Sequence, residues 1–242
     1  MKNSLVHQIE NYVQGTFSKV APDDKLTIAH DYKHVNRVRN WALRIAEMEG
    51  YHDLEIVEIA ALLHDIGLPY LDKNEKRNKH GEIGAEIATK YLTEKSNLAE
   101  KQIDNIAIAI KYHSLSPSKV EEQLRLFKDK GKLLEIIRDA DNLDAFGAIG
   151  LMRCFVSHYY LPDYNPMNIK GEAWALSPDE FRKKFGIDSK EGHAPVCYIM
   201  DMINQQIGYY DNLHTRTARN LAVPLVDFMK NFVLQIEHEV NF

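Results

Sequence analysis

Apolar residues recur along the chain at intervals of three and four positions, which is typical of amphipathic α-helices. The pattern is clear after His34, at Val35, Val38, Ala42 and Ile45, and it returns in most later segments. Alternation at every second position, which would indicate strands, is scarce. The pattern therefore predicts an all-α fold.

Helix-breaking residues separate the predicted helices. One helix is expected to end just after Leu63, a second to begin near His80, and a third to end at His113. A further single helix is expected over KLLEIIRDADNLDAFGAIG, which begins at Lys132. The breaks between these helices contain the motifs GLP at Gly67, SLSPS and KDKG.

Residues 161–195 contain four prolines and several isolated polar residues. This composition predicts a long irregular segment at the surface, with one short helix. Two long helices are expected after it, the second bent or restarted at Pro224, because proline lacks the N–H that a helix interior needs. We expect one domain over residues 1–242, with a core at about 25–150 and C-terminal helices at about 196–240.

Composition and charge narrow the class of protein. A net charge of -5 and a pI near 6.1 argue against a nucleic-acid polymer as partner and leave room for a small anionic ligand. Cys154 and Cys197 are far apart, which predicts reduced thiols and a cytoplasmic location. No apolar stretch approaches the roughly 18 residues of a membrane span, and the oligomeric state stays open.

A short motif places two polar residues directly after an apolar run. His64 and Asp65 follow the residues Ala60–Leu63, and burying either side chain without a partner costs several kcal/mol. Adjacent helical residues point about 100° apart, so the pair could share one ligand only where the helix ends. Gly67 and Pro69 predict a helix end at this place.

Three carboxylates lie in an apolar stretch further along the chain. Asp139, Asp141 and Asp144 are interspersed with residues such as Ile137 and Phe146, so at least one carboxylate should face the apolar side. Asp141 and Asp144, one turn apart, are expected to share a helix face. Imidazoles and carboxylates together suit a divalent metal, although a single histidine on a helix is more often a structural residue than a ligand.

These residues resemble the HD-domain metal-dependent phosphohydrolases. That family has a histidine on one helix, an adjacent His–Asp pair ending another, and an aspartate on a later helix. The chain matches with His34 in HDYKHVNRV, His64 and Asp65 in LLHDIG, and Asp141 in DADNLDAFGAIG. The segments HGEIGAEIA, AIKYHS and TRTARNLAVPLVDFMKNF are similar to a bacterial branch of stand-alone HD hydrolases that includes nucleoside triphosphate pyrophosphatases.

The resemblance implies an HD-domain helical bundle with additional C-terminal helices, and His34, His64, Asp65 and Asp141 as metal ligands. Mn²⁺ is favoured, with Fe²⁺, Zn²⁺, Mg²⁺ and Co²⁺ as alternatives. Such an ion polarises a phosphoryl oxygen and lowers the pKa of a bound water towards about 7. The catalytic candidates are Asp65, His80 and His113; the two histidines could complete a second metal site bridged by Asp65, serve substrate binding or proton transfer, or be structural.

Phosphate requires positive partners, and the candidates are Arg37, Lys79 and Lys111, together with Lys73, Lys76 and Arg77 in the loop before His80. Arg37 lies one turn after His34 and so shares its face. The expected activity is hydrolysis of a small phosphorylated molecule. A nucleoside triphosphate pyrophosphatase is the favoured activity. A nucleotide phosphomonoesterase, a dinucleoside polyphosphate hydrolase and a non-catalytic, metal-containing ligand sensor are the alternatives.

Overall fold

A computed structural model describes residues 4–21, 24, 27–71, 79–127, 131–177, 180, 183–184 and 198–241 of the chain. Over these residues the regular elements are ten α-helices and two short 3-10 helices, and no strand is present. The prediction of an all-α fold is therefore confirmed. No helix within these ranges combines the length and the hydropathy that a membrane span requires.

The helices follow one another with short connections in the first half of the chain. The first five are α1 (Leu5–Phe17), α2 (Tyr32–Met48), α3 (Leu54–Leu63), α4 (His80–Lys95) and α5 (Glu100–Tyr112), with a 3-10 helix at Leu68–Tyr70. The remaining five are α6 (Pro117–Phe127), α7 (Gly131–Leu143), α8 (Gly147–Ser157), α9 (Ile199–Gly208) and α10 (Arg216–Val240), with a 3-10 helix at Tyr209–Asn212.

The chain forms two compact units. Unit 1 consists of Met1–Asp141 and His214–Ala218, and unit 2 consists of Asn142–Leu213 and Arg219–Phe242. The expectation of a single domain over residues 1–242 stays a prediction.

Helix α3 is the centre of unit 1. It contacts α1, α2 and α5, while α4 packs along α5. Its residues from Ile59 to Leu63 are all apolar and fully buried, so the last part of the helix is apolar on every side. The side chains that follow α3 are consequently delivered into the interior.

Unit 2 corrects the prediction of one helix over KLLEIIRDADNLDAFGAIG. Helix α7 ends at Leu143 and α8 begins at Gly147, whose φ is +68°. The backbone also turns tightly here, because a Cβ on Gly150 would lie 2.0 Å from the Ala145 carbonyl oxygen. A left-handed residue and this close approach both require glycine, so the single-helix prediction is wrong.

The C-terminal helices differ from the expected pair in two respects. Helix α9 has only ten residues before the 3-10 helix begins. Helix α10 is continuous through Pro224 for 25 residues, so the predicted alternative of a restart there is wrong. Pro224 and Asn220 both lie on the exposed side, where water can bind the carbonyl that proline leaves without a donor.

The irregular segment is only partly described. Residues 161–177 contain no α-helix, and the three later described residues at 180, 183 and 184 are helical. Cys154 is a buried free thiol, and Cys197 lies outside the described residues.

Glu49 ties the end of α2 to two other parts of unit 1. Its carboxylate accepts hydrogen bonds of 2.9 Å from the Lys132 ammonium and from the Thr217 N–H. Burial alone would raise the pKa of Glu49, but these partners outweigh it and lower the pKa to about 2. The ionised form of Glu49 therefore stabilises the folded chain.

This pKa predicts a pH-dependent contribution to stability. In metal-free protein, Glu49→Gln should lower the free energy of unfolding at pH 7 by on the order of 2–3 kcal/mol. A carboxyl whose pKa is depressed by folding stabilises above its unfolded pKa, and the contribution fades as pH falls from about 5 towards 2. Urea denaturation at pH 7 and pH 3 measures the difference in the free energy of unfolding between the wild type and Glu49→Gln. This difference should be smaller at pH 3.

Glu94→Gln, at an exposed position of α4, is the matched control and should change little at either pH. If Glu49→Gln lowers the free energy of unfolding equally at both pH values, the stabilisation does not come from the ionised Glu49 carboxylate.

Candidate active site around Asp65

The adjacent His64 and Asp65 lie where the sequence predicts a helix end. Helix α3 ends at Leu63, with His64 as its C-cap and Asp65 in the turn that follows. Both side chains are buried. The His64 Nδ1 lies 2.7 Å from the Ala61 carbonyl oxygen, which can only accept, so Nδ1 carries the proton and Nε2 is left as an acceptor in the neutral ring.

His34 and Asp141 reach the same place from two other helices. The Asp31 carboxylate caps α2 by accepting from the His34 N–H at 3.0 Å, which fixes His34 in the first turn. The fully buried His34 Nε2 lies 3.3 Å from His64 Nε2 and 3.5 Å from Asp65 Oδ2. It also lies 3.4 Å from Oδ1 of Asp141, in the last turn of α7.

The other oxygen of Asp65 faces a second pair of histidines. His80 is the first residue of α4 and His113 is the C-cap of α5. Their Nε2 atoms lie 3.3 and 3.4 Å from Asp65 Oδ1 and 3.1 Å from each other. The Asp65 carboxylate thus separates two groups of imidazoles, one at each oxygen.

The backbone around His113 is held by a buried arginine. The His113 Nδ1 donates to the Ile110 carbonyl at 2.7 Å, so its Nε2 is an acceptor when the ring is neutral. Arg138 Nη1 donates to the carbonyls of His113 and Leu115 at 2.7 and 2.6 Å. Arg138 therefore supplies donors to the carbonyls that the end of α5 leaves without helical partners.

Two glycines allow α4 to approach its neighbours closely. A Cβ on Gly67 would lie 2.1 Å from the His80 carbonyl oxygen, and a Cβ on Gly81 would lie 2.6 Å from that of Lys111. No side chain fits into either space. Gly67 and Gly81 therefore set the distance at which His80 meets Asp65 and His113.

His30 belongs to the cluster, although the sequence reasoning did not select it. Its Nδ1 lies 2.8 Å from Asp65 Oδ2, and its ring packs edge-on against that of His34 with 4.8 Å between the centroids. His30 precedes α2 and lies outside the family pattern of ligands. The available signal was its place four residues before His34 in HDYKH.

The surroundings of these groups alter their acidity. Burial alone would raise the pKa of Asp65, but the imidazoles around it, His64 and His30 foremost, hold the pKa well below its usual range. Burial likewise opposes ionisation of Asp141, and the hydrogen bond with His34 outweighs it, so the pKa is lowered. Burial lowers the pKa of His113. Ionised carboxylates therefore lie among the imidazoles, and burial favours the neutral form of His113.

This set of side chains fits a divalent cation. Three overlapping groups of ligand atoms could hold an ion, namely His30 with His34 and Asp65, His34 with His64 and Asp141, and His64 with Asp65 and His113. The acceptor atoms lie 3.3–3.5 Å apart around His34, close to the spacing of about 3.0–3.4 Å that ligands at about 2.1 Å take around one ion. Converging acceptors in a buried place need a cation between them.

Asp139 and Asp144 have other partners. The fully buried Asp139 accepts from the N–H groups of His214 and Thr215 and from the Thr215 hydroxyl, at 2.7–2.9 Å. Asp144 forms an ion pair with Arg153 at 3.0 Å. It directly follows the last residue of α7, and the helix face that the spacing assigns to both Asp141 and Asp144 stays a prediction.

The candidate phosphate-binding cations lie near the cluster residues in sequence. Arg37 is half-buried on α2, and Lys79 is exposed directly before His80. Lys111, on α5, is 43% exposed and lies 3.9 Å from a Glu82 carboxylate oxygen. Their roles stay predictions, and Lys73, Lys76 and Arg77 lie outside the described residues.

Comparison with known proteins agrees with this geometry. Residues 31–145 match the profile of the HD domain family. YpgQ of Bacillus subtilis strain 168 is 28% identical over 222 residues, which cover 87% of this chain and 84% of YpgQ.

Solved structures show the same fold over nearly the whole chain. A predicted HD superfamily hydrolase from an uncultured Thermotogales bacterium is 25% identical, with a TM-score of 0.57, covering 96% of this chain and 91% of that one. An HD-superfamily hydrolase from Bacillus thuringiensis is 22% identical, with a TM-score of 0.64, covering 98% and 96%. B. subtilis YpgQ in complex with ADP is 23% identical, with a TM-score of 0.61 and 97% coverage of both chains.

Residues 31–145 therefore match the HD domain, and the chain is similar over nearly its whole length to proteins described as HD superfamily hydrolases.

The close approach at Gly67 generates a test of how the site is held. Gly67→Ala should cost about 1–3 kcal/mol, because its methyl group overlaps the His80 carbonyl, and should lower Tm by about 2–12 °C. Calorimetry of metal-free protein measures this change. Gly15→Ala, in α1 where no atom lies within 4 Å of the added Cβ, is the control and should be neutral or stabilising. Equal Tm values for Gly67→Ala and the wild type would refute the close approach.

Proposed function

We propose that the protein is a nucleotide hydrolase that cleaves a phosphoanhydride of a nucleoside triphosphate, releasing a monophosphate and pyrophosphate. The observation that carries this proposal is the buried Asp65 carboxylate, with acceptor atoms converging at each of its oxygens. Such an arrangement has no function in packing, and it suits a metal-assisted reaction at phosphorus.

Four side chains are proposed as the metal ligands: His34, His64, Asp65 and Asp141. Their contributing atoms are the Nε2 atoms of the two histidines and one oxygen of each carboxylate. We favour Mn²⁺ because its ligand preferences cover both imidazole and carboxylate. When bound, a divalent cation supplies Lewis-acid chemistry, which polarises a phosphoryl oxygen and acidifies a water ligand.

The other candidates have roles in binding and proton transfer. Arg37, Lys79 and Lys111 are proposed to bind the phosphate chain, since a polyanion needs fixed positive partners. His80 and His113 are proposed to move a proton through their Nε2 atoms, 3.1 Å apart. His113 accepts at Nε2, so His80 is the donor of this pair.

A nucleotide is favoured as substrate because the similar protein YpgQ has been crystallised with ADP. A small ligand also agrees with the net charge of -5, which gives no general attraction for a nucleic-acid polymer.

The experiment that tests the function is a screen of metal-stripped enzyme with Mn²⁺, Mg²⁺, Zn²⁺, Co²⁺ or Fe²⁺ added back. The substrates are nucleoside mono-, di- and triphosphates and dinucleoside polyphosphates, with products separated by anion-exchange chromatography. The proposal expects a monophosphate and pyrophosphate from triphosphates. Inorganic phosphate from monophosphates would instead identify a phosphomonoesterase. If none of the nucleotides is turned over in the presence of any of these metals, the proposal is rejected.

The proposed ligands can be tested individually. His64→Ala and Asp141→Ala should each remove most of the bound metal and nearly all activity while leaving the helical circular dichroism signal largely unchanged, because ligands contribute more to the site than to the core. Metal content is measured by elemental analysis after dialysis. His52→Ala, at an exposed position, is the control. Full turnover by either ligand variant at saturating Mn²⁺ would be incompatible with the assignment.

His80 and His113 decide between one ion and two. In the proposed role, His80→Ala and His113→Ala should keep about one metal per chain while kcat falls by about 10²- to 10⁴-fold, as expected for loss of a proton-transfer group. Two metals per chain in the wild type, falling to about one in either variant, would show instead that these histidines complete a second metal site. Normal kcat and unchanged metal content in both variants would leave them as structural residues.

A further inference from the structure

Among the described imidazoles around the Asp65 carboxylate, that of His30 lies nearest to it. Its Nδ1 lies 2.8 Å from Asp65 Oδ2, whereas the other imidazole nitrogens around that carboxylate lie 3.3–3.5 Å away. The side chain of His30 is 22% exposed, in contrast to the 3% of Asp65. His30 therefore stands between the buried carboxylate and solvent.

The direction of this contact follows from its partners. As a metal ligand, the Asp65 carboxylate is ionised, and an ionised carboxylate can only accept hydrogen bonds. The His30 Nδ1 must therefore carry the proton and donate it. A nitrogen that donates a proton has no lone pair for a metal, and 2.8 Å is also shorter than the roughly 3.0 Å that separates two ligand atoms around one ion.

The contact determines how the carboxylate is oriented. Asp65 presents Oδ1 to His80 and His113, and Oδ2 to His34 and His64. Rotation of the carboxylate about its own bond would break the hydrogen bond from His30 and carry both oxygens away from their imidazoles. The backbone next to His30 is also fixed, because Asp31 caps α2.

We propose that His30 is a positioning residue that orients the Asp65 carboxylate for metal binding. The inference rests on the proposed role of Asp65 as a ligand and adds a residue that does not itself bind the ion. Partners of this kind, which hydrogen-bond to a metal ligand, typically change metal affinity by about 10- to 100-fold when removed.

The test compares three substitutions at one position. His30→Ala and His30→Phe remove the donor, the second while keeping an aromatic ring. His30→Asn returns an amide N–H near the place of Nδ1. Isothermal titration of metal-stripped protein with Mn²⁺ measures affinity, and thermal unfolding of the metal-free protein measures stability. His52→Ala is the control for loss of an exposed histidine.

The proposal expects a specific pattern. Mn²⁺ affinity should fall by about 10- to 100-fold in His30→Ala and His30→Phe and return towards the wild-type value in His30→Asn. The Tm of the metal-free protein should fall in His30→Ala and His30→Phe, because the buried carboxylate loses a donor, while kcat at saturating Mn²⁺ should be largely retained, because the residue acts through Asp65. A purely structural role would lower the metal-free Tm and leave the Mn²⁺ affinity unchanged.

The contrary outcomes are distinct. Wild-type affinity in both His30→Ala and His30→Phe would overturn the proposal, as would a loss that His30→Asn does not restore, since that result would identify His30 as a ligand. If only His30→Ala fails to fold, the comparison of His30→Phe with His30→Asn decides. A wild-type chain that binds no divalent ion would overturn the proposed function together with this inference.

Discussion

The buried charge of Asp65 is the constraint on which the site depends. An ionised carboxylate in a protein interior is costly unless neighbouring groups compensate it. Here imidazoles from five places in the chain surround it: the segment before α2, α2 itself, the end of α3, the start of α4 and the end of α5. The packing of these helices is thus coupled to the electrostatics of one side chain.

Short-range features of the sequence predicted the ends of the helices that carry the site. The change from an apolar run to GLP predicted that α3 ends beside His64, and the family pattern selected His34 and Asp141, which the structure brings to the same cluster. These features are local, because a breaker, an apolar run or a motif acts within a few residues.

Other features depend on partners that are distant in sequence. Asp139, Asp141 and Asp144 look alike along the chain, yet each has different partners. Asp139 accepts hydrogen bonds from His214 and Thr215. Asp141 contacts His34, and Asp144 pairs with Arg153. The role of His30 depends on a carboxylate 35 residues away. The break before α8 depends on how closely Gly150 approaches the Ala145 carbonyl. The spacing of apolar residues along the chain does not predict such a contact.

The two carboxylates at the cluster have a consequence for charge balance. Ionised Asp65 and Asp141 together contribute two negative charges, and imidazoles that bind a cation through a lone pair are neutral. One divalent cation therefore brings this group of side chains to electrical neutrality. A neutral centre lets the ion remain buried at low electrostatic cost and does not repel an approaching polyphosphate, whereas the same centre without its ion would oppose every anion. In the proposed function, metal binding therefore removes the electrostatic barrier that the two carboxylates present to a polyphosphate substrate.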